Sequence, residues 1–318
     1  MLTRRDWITL TAGAGAALTL DPKQVLAWQQ QPVITRAIPS SNERVPIIGL
    51  GSSATFSQIA RAEDLTAVRA VLTTLVEQGG TIFDTAPSYG ASEEVAGRVA
   101  GEAGLTDKIF WATKVNVVGG RGGGGKADPA AARAQIETSF TRLKKAKIDL
   151  IQVHNVADVT TQLGVLKEFK KQGRVRYIGV TSTSENQYSD LESAMRNEPL
   201  DFIGVDYAID NREVEASILP LAAERKIGVL VYLPFGRRRL WDRVKGQTVP
   251  EWGKEFGATT WAQFFLKFIA AHPAVTCITP ATSRAAGMAD NLGGGRGLLP
   301  DEATKKRMIA VVDALPAA

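Results

Sequence analysis

Ile148-Asp149-Leu150-Ile151-Gln152-Val153-His154, a helical pattern over 160–172, and then Val175-Arg176-Tyr177-Ile178-Gly179-Val180 make a strand, a helix and a second strand within residues 148–180. A run of this kind lays two parallel strands side by side, with the helix as the crossover between them. The alternation continues in both directions. Short β-rich runs recur at 45–50, 81–84, 109–113, 148–153, 175–180, 202–206, 228–232 and 275–278. Amphipathic stretches lie near 63–77, 91–101, 128–145, 160–172, 185–197, 213–225, 259–271 and 284–292, with one more near 301–314. Asp128-Pro129, Ser184-Glu185 and Pro300-Asp301 mark helix starts with a capping side chain or a fixed-φ proline. Eight strands, each followed by a helix, predict an α/β protein with a closed (β/α)8 TIM barrel over 38–316. The alternative is an open doubly wound sheet, but no Gly-x-Gly-x-x-Gly opens a helix after an early strand.

Composition fits one large folded domain. Hydrophobic residues make up 44% of the 318 and charged residues 22%, as in a soluble chain with a core. The net charge of +5 comes from interspersed residues, 38 basic against 33 acidic. A nucleic-acid partner needs a clearer basic face. Cys277 is the single cysteine, which excludes an intramolecular disulfide, so stability comes from packing. The run 119–125 is rich in glycine but lacks the lysine-hydroxyl pair of a phosphate loop, and reads as a flexible loop or lid.

Chemistry in such a barrel gathers where strands end. Asp84 closes the second strand, Tyr89 follows five residues later, Lys114 closes the third, and His154 closes the fourth. A phenol is a poor acid at neutral pH, and a nearby ammonium favours its phenolate. Lys114 can act so on Tyr89, Asp84 can hold Lys114 charged, and His154 can donate to an oxygen gaining negative charge. Singly, each residue has a plain structural explanation: an ion pair, a rim aromatic, a core histidine. Together at successive strand ends they form a proton-delivery unit. No set of metal ligands accompanies them.

Gly80-Thr81-Ile82-Phe83-Asp84-Thr85-Ala86-Pro87-Ser88-Tyr89-Gly90-Ala91-Ser92-Glu93-Glu94 closely resembles the signature of the aldo-keto reductases. The likeness runs through Ala112-Thr113-Lys114, Asp149 to His154, Gly173 to Val180 and Val205-Asp206-Tyr207 to Thr282-Ser283 and Asn291, about residues 40 to 300. The resemblance implies a reductase that transfers hydride from NADPH, or alternatively NADH, to a small-molecule aldehyde or ketone. Asp84, Tyr89, Lys114 and His154 match its catalytic tetrad, with Tyr89 as general acid. The cofactor would lie across the mouth, touching Gly51 and Ser182, with its nicotinamide on Tyr207. Pro234, Gly236 and Arg237 match the pyrophosphate loop, and Thr282, Ser283, Arg284 and Asn291 the segment for the adenosine 2′-phosphate and adenine.

Some positions depart from the family pattern. Gly287 stands where an arginine is usual, Thr181-Ser182 where Ser-Asn is usual, and Gly204 where a glutamine holds the carboxamide. A non-catalytic nucleotide-binding sensor or accessory subunit is therefore the second functional class. A hydrolase or isomerase on the same barrel would call for metal ligands or a second carboxylate. Substrate choice falls to loops 115–128 and 235–248, where Trp241 either walls the pocket or covers the barrel.

Thr3-Arg4-Arg5-Asp6-Trp7-Ile8 precedes a weakly apolar run over 8–20 and resembles a twin-arginine export signal. That run is shorter and milder than the about 20 strongly apolar residues of a spanning helix. The resemblance implies that 1–30 is an export segment read by the twin-arginine machinery, cleaved after Ala27. The mature protein would then be periplasmic, without stable membrane insertion, having folded around its cofactor in the cytoplasm. An uncleaved anchor and an ordinary chain start are the other readings.

Overall fold

The computed structural model describes residues 31–118 and 125–316. The export segment expected at 1–30, and residues 119–124 of the glycine-rich run, lie outside the described residues. A hairpin, β1 (Thr35–Ala37) with β2 (Arg44–Pro46), precedes the barrel and pairs Arg36 with Val45. Eight parallel strands follow in sequential order: β3 (Leu50–Gly51), β4 (Ile82–Asp84), β5 (Phe110–Val115), β6 (Ile148–Val153), β7 (Val175–Ser182), β8 (Phe202–Asp206), β9 (Gly228–Tyr232) and β10 (Cys277–Ile278). Parallel bridges between Ile48 and Ile278 and between Gly51 and Ala281 close the ring.

The crossovers are α1 (Thr55–Arg61) and α2 (Leu65–Glu77), α3 (Ser92–Glu102), α4 (Pro129–Leu143), α5 (Val159–Lys171), α6 (Tyr188–Asn197), α7 (Ile218–Glu224), α8 (Arg239–Arg243) and α9 (Trp261–Ala270). After the last strand come α10 (Ala285–Gly293) and α11 (Glu302–Asp313). Asp128 caps α4 through the Ala130 N–H with Pro129 in the first turn, and Asp301 caps α11 through the Thr304 N–H. Ser184-Glu185 opens a 3₁₀ turn over Glu185–Gln187 ahead of α6. Among the described residues no helix is long and apolar enough to cross a membrane.

Strand side chains alternate between two buried layers. Ile82, Phe110, Ala112, Leu150, Tyr177, Phe202, Leu230 and Cys277 fill the barrel interior. Phe83, Trp111, Ile151, Val153, Ile178, Val180, Ile203 and Val205 face outward and pack under the helices. This parity decides which side chain near a strand end reaches the mouth.

The expected first strand, 45–50, divides in two. Val45 belongs to the hairpin, while Gly49 and Ile278 carry the barrel's first backbone bonds, Gly49 N–H to the Ile278 carbonyl and Ile278 N–H to that of Ile47. The hairpin plugs the barrel floor: Ile38 and Val45 join the interior cluster, and Tyr177 donates to Glu43 from inside. Ile38 is fully buried. Ile38→Ala is expected to destabilise the fold by about 3 kcal/mol, the cost of a cavity beneath a closed ring. Urea unfolding checks this, and an unchanged midpoint would mean that the hairpin is not part of the core.

Candidate active site

Asp84 and Lys114 share parity with the interior residues of their strands, so both point into the mouth. Each is about 2% exposed. The Lys114 ammonium donates to Asp84 Oδ1 at 2.6 Å and to the Thr85 carbonyl at 2.8 Å. Its nitrogen lies 5.2 Å from the Tyr89 ring centroid, close enough for its charge to act on the phenol. Tyr89 stands in the loop between β4 and α3, where its N–H is held by the Ala86 carbonyl. His154, at the end of β6, meets the Tyr89 ring edge to face at 5.9 Å. The four residues singled out at strand ends thus share one site.

Burial and charge pull against one another here. Burial raises the Asp84 carboxyl, against the attraction of Lys114. Burial would lower Lys114, but Asp84 and Tyr89 together outweigh it and hold the ammonium above its ordinary range. A lysine starts so far above a carboxyl that the proton stays on Lys114. For Tyr89 burial dominates: its phenol is raised, although Lys114 and Arg237 favour the phenolate. The expected lowering by Lys114 is present but smaller than desolvation. Tyr89 is therefore a neutral phenol whose conjugate base has a cation waiting.

Two more residues belong to this centre that the sequence did not single out. Tyr232, the last residue of β9, donates to Asp84 Oδ2 at 3.1 Å and accepts from Gln152 Nε2 at 2.8 Å. The Tyr232 ring lies over Gly204, where a Cβ would sit 2.3 Å from Cε2. Gly204 is thus not an empty place for a missing glutamine but the floor beneath a tyrosine. The signal was available in the sequence: Tyr232 shares parity with the interior Leu230 and ends its strand, as Lys114 nearly ends its own.

The cofactor positions fare unevenly. Tyr207 is corrected: it has the outward parity of Ile203 and Val205, is fully buried, hydrogen-bonds Glu215 and packs on Phe268 and His272. It offers no face to the mouth, where Tyr232 is a partly exposed aromatic. Ser182 likewise has outward parity, and its hydroxyl is committed to the Ser184 carbonyl and to Gln187. Thr181 points inward instead, its Oγ1 accepting the Asn155 N–H. At Gly51 a Cβ would lie 2.4 Å from the Thr279 carbonyl oxygen, so glycine there lets the seam close.

Pro234, Gly236 and Arg237 form a turn after β9, with Leu233, Gly236 and Arg237 in left-handed backbone. Arg239 is taken by Asp210 at 2.7 and 2.9 Å, and Arg238 faces Asp242. Arg237 is left exposed, with its charge acting on Tyr89. Thr282, Ser283 and Arg284 lead into α10, whose first turn has no side-chain cap. A Cβ at Gly287 would sit 2.6 Å from Thr282 Oγ1, so Thr282 lies close against this glycine. Asn291 is buried on the same helix. Trp241 packs between Phe235 and Phe265, covering the barrel rather than walling the mouth.

Residues 47–307 match the model of the Aldo/keto reductase family. The chain is 32% identical over 191 residues to the aldo-keto reductase YhdN of Bacillus subtilis, an alignment covering 58% of this chain and 57% of that relative. The matched region thus spans little more than half of the relative's length. The fold is similar to a holo-form aldo-keto reductase of Bacillus halodurans, with a TM-score of 0.71 at 23% identity over 90% of this chain and 98% of that one. An aldo-keto reductase of Klebsiella pneumoniae in complex with NADPH gives a TM-score of 0.69 at 22% identity, over 88% and 96%.

Proposed function

The chain belongs to the aldo/keto reductase family, and on that footing we propose that it reduces an aldehyde or ketone to the alcohol with NADPH, Tyr89 giving the proton. The observation that carries this reading is the buried Asp84–Lys114 pair at 2.6 Å, aimed at a Tyr89 phenol that stays neutral. NADPH, held by residues of this mouth, would supply the hydride for the carbonyl carbon. As charge gathers on the carbonyl oxygen, Tyr89 passes its proton to that oxygen, and Lys114 stabilises the phenolate left behind. Asp84 keeps Lys114 charged, and His154 donates a hydrogen bond to the same carbonyl oxygen. Solvent then returns the proton to Tyr89.

The residues present suit a dinucleotide. The uncapped first turn of α10 leaves backbone N–H groups for an anion, beside Arg284, Thr282 and Ser283. Arg284 is the cation that would favour NADPH over NADH. Arg237, with Pro234 and Gly236, suits the pyrophosphate, and the Tyr232 ring offers the face that Tyr207 does not. Gln152 Oε1, which has the inward parity of Leu150, is buried without a hydrogen-bond partner in the protein. A polar ligand in the mouth would satisfy it.

Fluorescence titration with NADPH and NADH, followed by cofactor oxidation over a panel of aldehydes and ketones, tests the proposal. Binding with turnover supports it. Tight binding without turnover would favour a nucleotide sensor or accessory subunit, and no binding would sink both.

We also propose that residues 1–30 direct the folded protein to the periplasm by the twin-arginine route, a reading that rests on Arg4-Arg5 and the mild apolar run behind them. Changing both arginines to lysine is expected to leave the protein in the cytoplasm on cell fractionation. An unchanged distribution would remove the export reading.

A further inference from the structure

We infer that Tyr232 is a positioning residue for proton delivery, acting through Asp84 and Lys114 and held in place by Gln152. The inference rests on the reading of Tyr89 as the acid. Asp84 has two carboxylate oxygens in a buried position, and each meets a different donor: Oδ1 the Lys114 ammonium at 2.6 Å, Oδ2 the Tyr232 hydroxyl at 3.1 Å. The Tyr232 oxygen in turn accepts from Gln152 at 2.8 Å. The donors run in one direction, from Gln152 to Tyr232 to Asp84, with Lys114 bridging Asp84 and Tyr89. Lys114 Nζ stands 5.0 Å from the Tyr232 ring centroid and 5.2 Å from that of Tyr89, a cation between two phenols.

Room for this arrangement is provided by the backbone of β8. A Cβ at Gly204 would lie 2.3 Å from Tyr232 Cε2 and 2.8 Å from its hydroxyl, so a side chain there would push the ring off Asp84. Burial and the Asp84 charge keep the Tyr232 phenol protonated, so it remains a donor throughout the working range.

The consequence follows from how Asp84 divides its attraction. A carboxylate with one oxygen satisfied by a neutral donor is a weaker base than one with that oxygen bare. Tyr232 therefore loosens the hold of Asp84 on the Lys114 proton and leaves more of the ammonium's charge for the Tyr89 phenolate. Without the hydroxyl, Asp84 draws that proton closer, the phenolate is less supported, and Tyr89 becomes a weaker acid.

Tyr232→Phe keeps the ring and removes only the hydroxyl. It is expected to lower kcat about tenfold, the loss typical of one hydrogen bond to a charged group, with KM and the NADPH dissociation constant unchanged. The alkaline fall of reductase activity should move to higher pH. The Tyr89 resonance, followed by NMR with tyrosine isotope-labelled at Cζ and assigned by its absence in Tyr89→Phe, should ionise at higher pH without any substrate. Gly204→Ala, which displaces the ring, should shift the same resonance in the same direction. A wild-type kcat and an unmoved Tyr89 titration in Tyr232→Phe would overturn the inference. If Tyr89→Phe itself kept full turnover, the proton-donor reading would fall, and the NMR titration would still decide whether Tyr232 is coupled to Tyr89.

Discussion

Tyr89→Phe is expected to lower kcat for carbonyl reduction by about 10²–10⁴-fold, the usual worth of a positioned general acid, and to leave NADPH affinity unchanged. The phenylalanine preserves the ring that meets His154 at 5.9 Å, so what is lost is the proton and not the packing. The pH dependence gives an independent check. Reduction needs the protonated phenol, and burial, aided by Asp84 against Lys114 and Arg237, raises the Tyr89 pKa. The acid is then fully protonated at neutral pH. Wild-type activity should hold through mildly alkaline solution and fall only above about pH 10, the ordinary tyrosine range. The residual rate of the variant should lack that fall. A wild-type decline centred nearer pH 6 or 7 would assign the proton to a histidine-like group instead, and the tetrad would need new roles.

Most of the architecture was legible because the barrel repeats one simple unit. Seven of the eight expected strand positions hold to within a few residues. The exception, 45–50, failed because apolar pattern alone does not distinguish Val45 in a floor-closing antiparallel hairpin from a neighbour in the parallel ring. The short helices α1 and α8 escaped notice because one or two turns carry too little periodicity. At the site, Asp84, Tyr89, Lys114 and His154 were readable, since strand ends share one mouth. Tyr207 and Ser182 were misplaced for a reason already present in the sequence: each is an even number of residues from outward-facing neighbours, Val205 and Val180. Parity argues for Tyr232 and Thr181 as firmly as it argues for Lys114. What sequence could not supply was the tilt of the Tyr232 ring over Gly204, which depends on contact between strands 28 residues apart.

Lys114→Met should separate the two meanings that an ion pair at a strand end can have. Methionine approximates the lysine stem but leaves Asp84 buried without its cation, and breaking a buried pair on one side costs about 3–5 kcal/mol. Burial already raises the Asp84 carboxyl, and loss of Lys114 removes the largest force opposing it. The folded carboxyl then holds a proton that the unfolded one releases. Between the ordinary carboxylate value and this raised folded value, the variant's stability should fall as pH rises, so it should regain stability on mild acidification. Asp84→Asn combined with Lys114→Met removes the charge and should recover much of the lost stability at neutral pH. Turnover should behave differently. Both variants lack the ammonium that meets the Tyr89 phenolate, and both are expected to lose about 10³-fold in kcat, in the range seen when one preorganised electrostatic donor is removed. Urea unfolding and single-turnover reduction, measured on the same preparations, decide the matter. If stability and turnover recover together in the double variant, the pair is only a structural brace for the barrel mouth. If stability returns while turnover stays low, Lys114 is needed for its charge toward Tyr89.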